Sequence, residues 1–382
     1  MTAYDILRRN KTSIVDTLGA DHTLILNKAK QNKLITQHDH KTLRTEQNVE
    51  ALVDKIMKKG EENCQLFLNL LQTDEIQETY PELKNILEDE LYELKSQPTG
   101  LCLIINNEMF PGVGKKKKNV RYGTDKDAES LGKVFTWLGF RVLMCKDQTK
   151  DQMERALKCF ASQRGLSQLQ EFKVQEWTGS GFTDLLEAPQ HGDAFICCLL
   201  SHGNKGVVLG TDWKPLPIKQ ITRTFMATPE SPLTAKPKVF LIQACQGGQV
   251  HPMVESKDQA GGSCSTQQAD SSDSTSIPQE ADFLVHCSTV EDYKSLRNPT
   301  EGSWFIQSVC EQLEEGCQRN EEIEVILRRV NKEVARKDSD VRCGPECGLR
   351  YCLKCGTSCG PTKQMPAIWH TLRKRLVLTP RN

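Results

Sequence analysis

The sequence predicts an α/β fold with a central, mostly parallel sheet flanked by helices, preceded by an all-α bundle. Three observations carry that reading. Residues 1–92 repeat apolar side chains at helical spacing and lack strand alternation. Beyond residue 100, short continuous apolar runs alternate with helical patterns, as strands buried on both faces do. Two of those runs end in groups capable of nucleophilic chemistry, which is where layered α/β folds place their sites.

The elements follow in order. In the bundle, Ile6, Ile14, Val15 and Leu18 fall on one stripe, and Leu24, Ile25 and Ala29 on a second. Val49, Leu52, Val53 and Ile56 form a third, stopped by a basic last turn and a glycine in Lys58-Lys59-Gly60. Cys64, Phe67, Leu68 and Leu71 form a fourth, and Leu83, Ile86, Leu87 and Leu91 a fifth. Helices this short are stable only when packed together, so the segment forms one compact bundle. It holds no polar cluster with catalytic spacing, and its charges Asp21, Arg44, Glu46 and Glu50 suit docking to another small domain. A short linker, 93–99, surrounds Pro98. Strands are expected at 101–105, 141–145, 195–200, 239–242 and 283–286, and a last one at 372–378. Helices are expected at 128–138, 149–160, 216–226, 304–313 and 323–334. The stretch 249–280 is rich in Gln, Ser, Asp, Gly and Thr and cannot build a core. It separates a region 100–248 from a region 281–382.

With 382 residues the chain has room for two or three domains. Fifty basic and fifty acidic side chains give no net charge, so there is no general argument for nucleic-acid binding or a membrane surface. The four lysines at 115–118 read as a solvated loop. No apolar run is long enough for a membrane span. The opening residues Met1-Thr2-Ala3-Tyr4-Asp5 lack the basic-then-apolar pattern of a secretion signal. A cytoplasmic location is therefore expected, where thiols stay reduced. Of the sixteen cysteines, Cys102, Cys197, Cys198 and Cys287 lie inside apolar runs and are expected to pack as small hydrophobes.

The run 239–242 leads into Gln243-Ala244-Cys245-Gln246-Gly247, and the run 195–200 into Ser201-His202-Gly203. A thiol attacks a carbonyl as its thiolate, and a nearby imidazole can take the proton and return it to the leaving amine. Cys245 and His202 fit those two roles. Gly247 and Gly248 leave room for a peptide backbone beside the sulfur.

That pentapeptide with a histidine upstream is a recognised signature of the caspase family, so the resemblance is a recognition and not a derivation. It continues through Arg121-Tyr122-Gly123-Thr124-Asp125-Lys126-Asp127 and Arg297-Asn298-Pro299 before Glu301-Gly302-Ser303-Trp304. The resemblance implies a caspase-like layered fold and cleavage after aspartate. It implies an oxyanion hole from the backbone N–H groups of Gly203 and Cys245, and an imidazole oriented by the carbonyl of Asn119. Arg121, Gln243 and Arg297 would hold the substrate aspartate, and Trp304 would pack on a neighbouring substrate side chain. Two guanidinium groups suit a short carboxylate through charge-assisted bonds. The run from Glu280-Ala281-Asp282-Phe283-Leu284 to Lys363-Gln364-Met365-Pro366 and Thr371-Leu372-Arg373-Lys374-Arg375-Leu376 resembles most the initiator caspases related to caspase-8.

Residues 1–92 resemble a caspase recruitment domain (CARD), an all-α death-fold bundle, through Ile6-Leu7-Arg8-Arg9-Asn10, Leu34-Ile35-Thr36-Gln37-His38-Asp39 and Cys64-Gln65-Leu66-Phe67. This implies an adaptor or sensor bearing a similar domain, in place of the death effector domains usual in those initiators. It also implies a homodimer of catalytic domains, self-processed into large and small subunits. Asp258, Asp270 and Asp273, in the 249–280 stretch, are the candidate cleavage sites. Apoptotic signalling is favoured, with an inflammatory role as the alternative. No cofactor is implied.

Cysteines 343, 347, 352, 355 and 359 crowd the insert 340–361. Four thiolates could bind zinc, but only four residues separate the Cys343/Cys347 and Cys352/Cys355 pairs. We expect an exposed insert peculiar to this chain, or an error in the gene model, and no metal. The insert and Leu296, where relatives commonly have an aromatic, leave one alternative open: a catalytically inactive scaffold or heterodimer partner.

Overall fold

The computed structural model describes residues 3–46, 48–87, 91–112, 119–162, 169–249, 251–252, 277–341, 351–352, 357–358 and 360–381. The chain divides into two compact units, Met1–Glu90 and Leu91–Asn382.

In the first unit the described residues form eight helices: α1 (Ala3–Arg9), α2 (Lys11–Gly19), α3 (His22–Gln31), α4 (Gln37–Glu46), α5 (Val49–Lys58), α6 (Glu61–Leu71), α7 (Asp74–Thr79) and α8 (Glu82–Leu87). The five expected stripes all lie on them, with two corrections. The first stripe is two helices, broken at Asn10. Leu91 is not on the fifth but belongs to the second unit. Helix α4 escapes the periodicity because its buried face is only His40 and Leu43. Its start is fixed by a reciprocal cap: Asp39 N–H donates to Thr36 Oγ1, and Thr36 N–H to Asp39 Oδ2, both at 3.1 Å.

The second unit is built on an eight-stranded mixed sheet. Its elements are β1 (Gly100–Asn106), α9 (Thr124–Trp137), β2 (Phe140–Lys146), α10 (Lys150–Ala161), β3 (Gln175–Trp177), β4 (Phe182–Asp184), β5 (Ala194–Leu200), α11 (Ile218–Arg223), β6 (Lys238–Gln243), β7 (Phe283–Cys287), α12 (Trp304–Gln318), α13 (Ile323–Arg336) and β8 (Ala367–His370). The sheet order is β8-β7-β6-β5-β1-β2-β3-β4. The inner pairs are parallel, while β8, β3 and β4 pair antiparallel at the two edges. Every residue of β1, β5 and β6 is buried, because α9, α12 and α13 cover one face and α10 and α11 the other. Cys102, Cys197 and Cys198 are buried among these strands, as expected, whereas Cys287 is half-buried.

Three expectations are corrected here. The 216–226 helix is shorter, because Pro215–Pro217 first pairs with Val207–Leu209 as a strand. The 372–378 strand does not form: Leu376 and Leu378 are buried, but the backbone makes only isolated bridges, Leu91 with Arg375 and Glu322 with Val377. The 93–99 segment is no free spacer. Tyr92 N–H donates to Arg375 O at 3.0 Å, Lys95 and Ser96 N–H both donate to Asp193 at 2.7 Å, and Thr99 N–H donates to Gly139 O at 2.8 Å. Among the described residues no helix is long and apolar enough to cross a membrane.

Candidate active site

Strands β5 and β6 are parallel neighbours, with Leu200 opposite Gln243. Ser201 N–H extends the ladder by donating to Gln243 O at 3.1 Å. The chain therefore delivers His202 and Cys245 to the same end of the sheet, each two residues past its strand. Gly203 seals that junction. A Cβ there would meet Cys245 O at 2.5 Å, Ala244 Cβ at 2.8 Å and Val207 O at 2.8 Å, so the close approach requires glycine.

The imidazole is held by two aromatic rings. Phe110 meets it edge-on at 4.7 Å between centroids, and Trp213 stacks on it at 5.3 Å and 18°. Trp213 is itself fixed by donating from Nε1 to Pro111 O at 2.9 Å. Burial pushes the His202 pKa down to about 4, helped by the charges of Arg121 and Arg297, so the ring is neutral at pH 7. Its Nε2 is buried with no hydrogen-bond partner among the described residues. Asn119 pairs with Phe110 in the short Met109–Phe110 ladder, but among the described residues no hydrogen bond joins its carbonyl to the imidazole.

Cys245 is half-buried, unlike the core thiols. The Ser295 N–H donates to its Sγ at 3.4 Å, and the Ser295 carbonyl lies 3.9 Å from the sulfur. The loop carrying Ser295 is zipped to the chain after Cys245: Asp292 N–H donates to Gln246 O, and Gln246 N–H to Tyr293 O.

Arg121 is 1% exposed, and Nη1 donates to Asn107 O at 2.8 Å and Thr124 Oγ1 at 2.9 Å. Its Nε and Nη2 are buried with no partner among the described residues. Burial, then the neighbouring Arg297 charge, bring its pKa down to about 9. Arg297 is half-buried and donates from Nε to Tyr122 O at 2.8 Å. Gln243 donates from Nε2 to Ser295 Oγ at 2.8 Å, and its Oε1 is buried without a partner among the described residues. Trp304 is half-buried at the first turn of α12. Buried donors left unmade are costly, so this array is poised for an anionic group supplied from outside the chain.

The residues of this site that the sequence reading did not assign are Phe110, Trp213, Ser295 and Asp127. Ser295 stands two positions before Arg297, and Asp127 ends the quoted Arg121 segment. Those positions were the available signal. Asp258, Asp270, Asp273, the lysines at 115–118 and Cys343, Cys347, Cys355 and Cys359 lie outside the described residues. A separate apolar cavity of about 430 Å³ is lined by Ile218, Thr222, Phe283, Cys287 and Trp369, and by none of His202, Cys245, Arg121 or Arg297.

Fold and site together define a layered α/β protein organised around a thiol, an imidazole, one buried guanidinium group and one half-buried. The family model described as Caspase domain matches residues 99–169 and 166–377. Caspase-8 of Rattus norvegicus is 36% identical over 308 residues, which is 78% of this chain and 55% of the relative. Caspase-7 of Gallus gallus is 38% identical over 246 residues, 64% of this chain and 69% of the relative. Caspase-10 of Homo sapiens is 38% identical over 225 residues, 58% of this chain and 37% of the relative. The chain belongs to the caspase family. It spans about half the length of the caspase-8 relatives it matches.

Proposed function

We propose that this protein is a cysteine endopeptidase that cleaves peptide bonds after aspartate. The observation that carries this is the fully buried Arg121 with Nε and Nη2 unpartnered, beside a second arginine and the Cys245–His202 pair. A substrate aspartate would satisfy those donors with charge-assisted bonds, and a neutral analogue would leave them unmade.

The residues act as follows. Neutral His202 takes the Cys245 proton, and the thiolate attacks the carbonyl carbon after aspartate. The C=O electron pair moves to oxygen, which the Gly203 and Cys245 N–H groups stabilise. Collapse breaks the C–N bond, and the imidazolium returns its proton to the leaving amine. Water, deprotonated by the same imidazole, then hydrolyses the thioester and restores the thiol. Gln243 and Arg297 complete the aspartate pocket, and Trp304 flanks the next substrate side chain. Asn119 orients the ring through its carbonyl once the pair is engaged.

In the same proposal residues 1–92 recruit the chain to an adaptor bearing a similar CARD-like bundle. Raised local concentration pairs the catalytic domains as homodimers. Cleavage at Asp258, Asp270 or Asp273 then yields subunits of about 100–270 and 274–382. This is an initiator role in apoptosis, acting on protein substrates in the cytoplasm. The test uses forced dimers of the full chain and peptides with Asp, Asn or Lys before the scissile amide. Turnover is expected for Asp alone and to vanish in Cys245→Ala with the melting temperature retained. Equal cleavage of the three peptides overturns the reading.

A further inference from the structure

Asp127 lies at the fourth position of α9 and is fully buried. No catalytic step uses it. Its Oδ1 accepts two hydrogen bonds from the other side of the 249–280 interval, from Ser303 N–H at 2.8 Å and Gln307 Nε2 at 2.7 Å. Ser303 is the direct strand partner of Arg297, and Gly302 of Asn298. The carboxylate therefore grips the base of the hairpin that presents Arg297. Helix α9, which carries the grip, begins three residues after Arg121, whose Nη1 bonds Thr124 in its first turn.

The surroundings are shaped for this contact. Gly302 has φ +97°, and a Cβ there would fall on Asp127 Oδ1, so glycine is required by both conformation and space. Gly123 has φ +85°, and a Cβ there would run into Asn298 O and lie 3.0 Å from Pro299 O, which presses the Arg121 turn against the same hairpin. Ser130 Oγ donates to Gln307 Oε1 at 3.2 Å, a second tie between α9 and α12. Asp127 Oδ2 is buried with no partner among the described residues. The charge of the carboxylate reaches both arginines and favours their charged forms. Burial pushes the carboxyl itself up to about 6. A carboxylate kept this deep is costly unless something needs it there.

We infer that Asp127 is a positioning residue for the aspartate pocket: it staples the Arg297 hairpin to the Arg121 segment, so that the two guanidinium groups face one site. The inference rests on the proposed aspartate specificity and adds a residue that never touches substrate. It also joins the two sides of the chain that processing would separate, by hydrogen bonds instead of by the intervening peptide.

The test compares wild type, Asp127→Asn, Asp127→Ala and Gln307→Ala in the full chain. The probe is a fluorogenic peptide with aspartate before the scissile amide. Two further readouts are the alkylation rate of Cys245 by uncharged iodoacetamide and hydrogen exchange at the Ser303 amide. Asp127→Ala is expected to raise KM at least tenfold, change kcat less than threefold and leave alkylation unchanged. Asp127→Asn keeps the acceptor and should recover most of the KM. Exchange at Ser303 should be faster in the Ala variant than in the Asn variant. If Asp127→Ala does not fold, Gln307→Ala carries the test, with KM raised about threefold.

Wild-type KM in Asp127→Ala, or a loss confined to kcat, overturns the inference. So does a KM as poor in Asp127→Asn as in Asp127→Ala, or, where Asp127→Ala does not fold, an unchanged KM in Gln307→Ala. A wild type that cuts no aspartyl peptide would instead reject the proposed specificity. Exchange at Ser303 still decides the staple in that case: unchanged exchange in the variants overturns it, and faster exchange supports it.

Discussion

Among the described residues Arg121 is the largest side chain buried to within 2% of full burial, and two of its guanidinium nitrogens have no partner there. Nη1 needs the planar fork to reach Asn107 O and Thr124 Oγ1 while leaving Nε and Nη2 free. Lysine offers one rotating ammonium at the end of a flexible stem and cannot serve both sides. Arg121→Lys should lower kcat/KM for aspartyl peptides about a hundredfold and narrow the gap between Asp and Asn peptides, as steady-state kinetics on the pair would read. A retained Asp preference would mean that Arg297 alone sets specificity. The site was unevenly legible at this scale. Cys245 and His202 could be found from residues alone, because each follows a continuous apolar strand. Arg121 and Arg297 lie in short turns with no periodicity, so only the family resemblance assigned them. Phe110 reaches His202 from a short strand and Trp213 from a separate turn, and no spacing in the sequence links them to it.

Among elements, the β5–β6 pair sets the site, and the turn after β5 is tightly packed against the end of β6. Gly203→Ala would drive a methyl into Cys245 O and Val207 O. Relief requires the two strand ends to separate. A loss of about 1–3 kcal/mol is expected, as for overpacking in a dense interior, together with loss of turnover. Chemical denaturation and peptide cleavage would measure the two effects, and wild-type activity in this variant would show the junction to be looser than its geometry. Inner strands β1, β2, β5, β6 and β7 were readable because helices cover both faces and make them continuously apolar. The outer strands β3, β4 and β8 are short and half-exposed, and left no comparable pattern. The 372–378 segment misled for a related reason. Leu376 and Leu378 alternate like a strand and are buried like one, yet their neighbours form bridges and not a ladder.

At the scale of the molecule, the Leu91–Asn382 unit begins earlier than its first strand. The Tyr92 hydroxyl donates to the fully buried Asp282 at 2.7 Å, and Arg373 binds the same carboxylate through Nε at 2.8 Å and Nη2 at 2.9 Å. Removing Tyr92 strips one partner from a buried charge and uncovers the apolar cluster its ring packs in. A chain starting at residue 100 should therefore be less stable than one starting at residue 91 by about 2–4 kcal/mol, measurable by urea denaturation. Equal stabilities would reduce the contact to surface decoration. The composition that suggested a linker at 93–99 could not reveal this, because the partners are distant in sequence: Asp193 and Gly139 for the segment itself, and Arg373 and Arg375 for Tyr92. The bridge between Leu91 and Arg375 has a topological corollary. The start and finish of this unit run side by side, so a few added residues would splice one to the other. New ends could then be opened within 253–276, giving a reordered chain in which the Arg297 half is made before the Cys245 half.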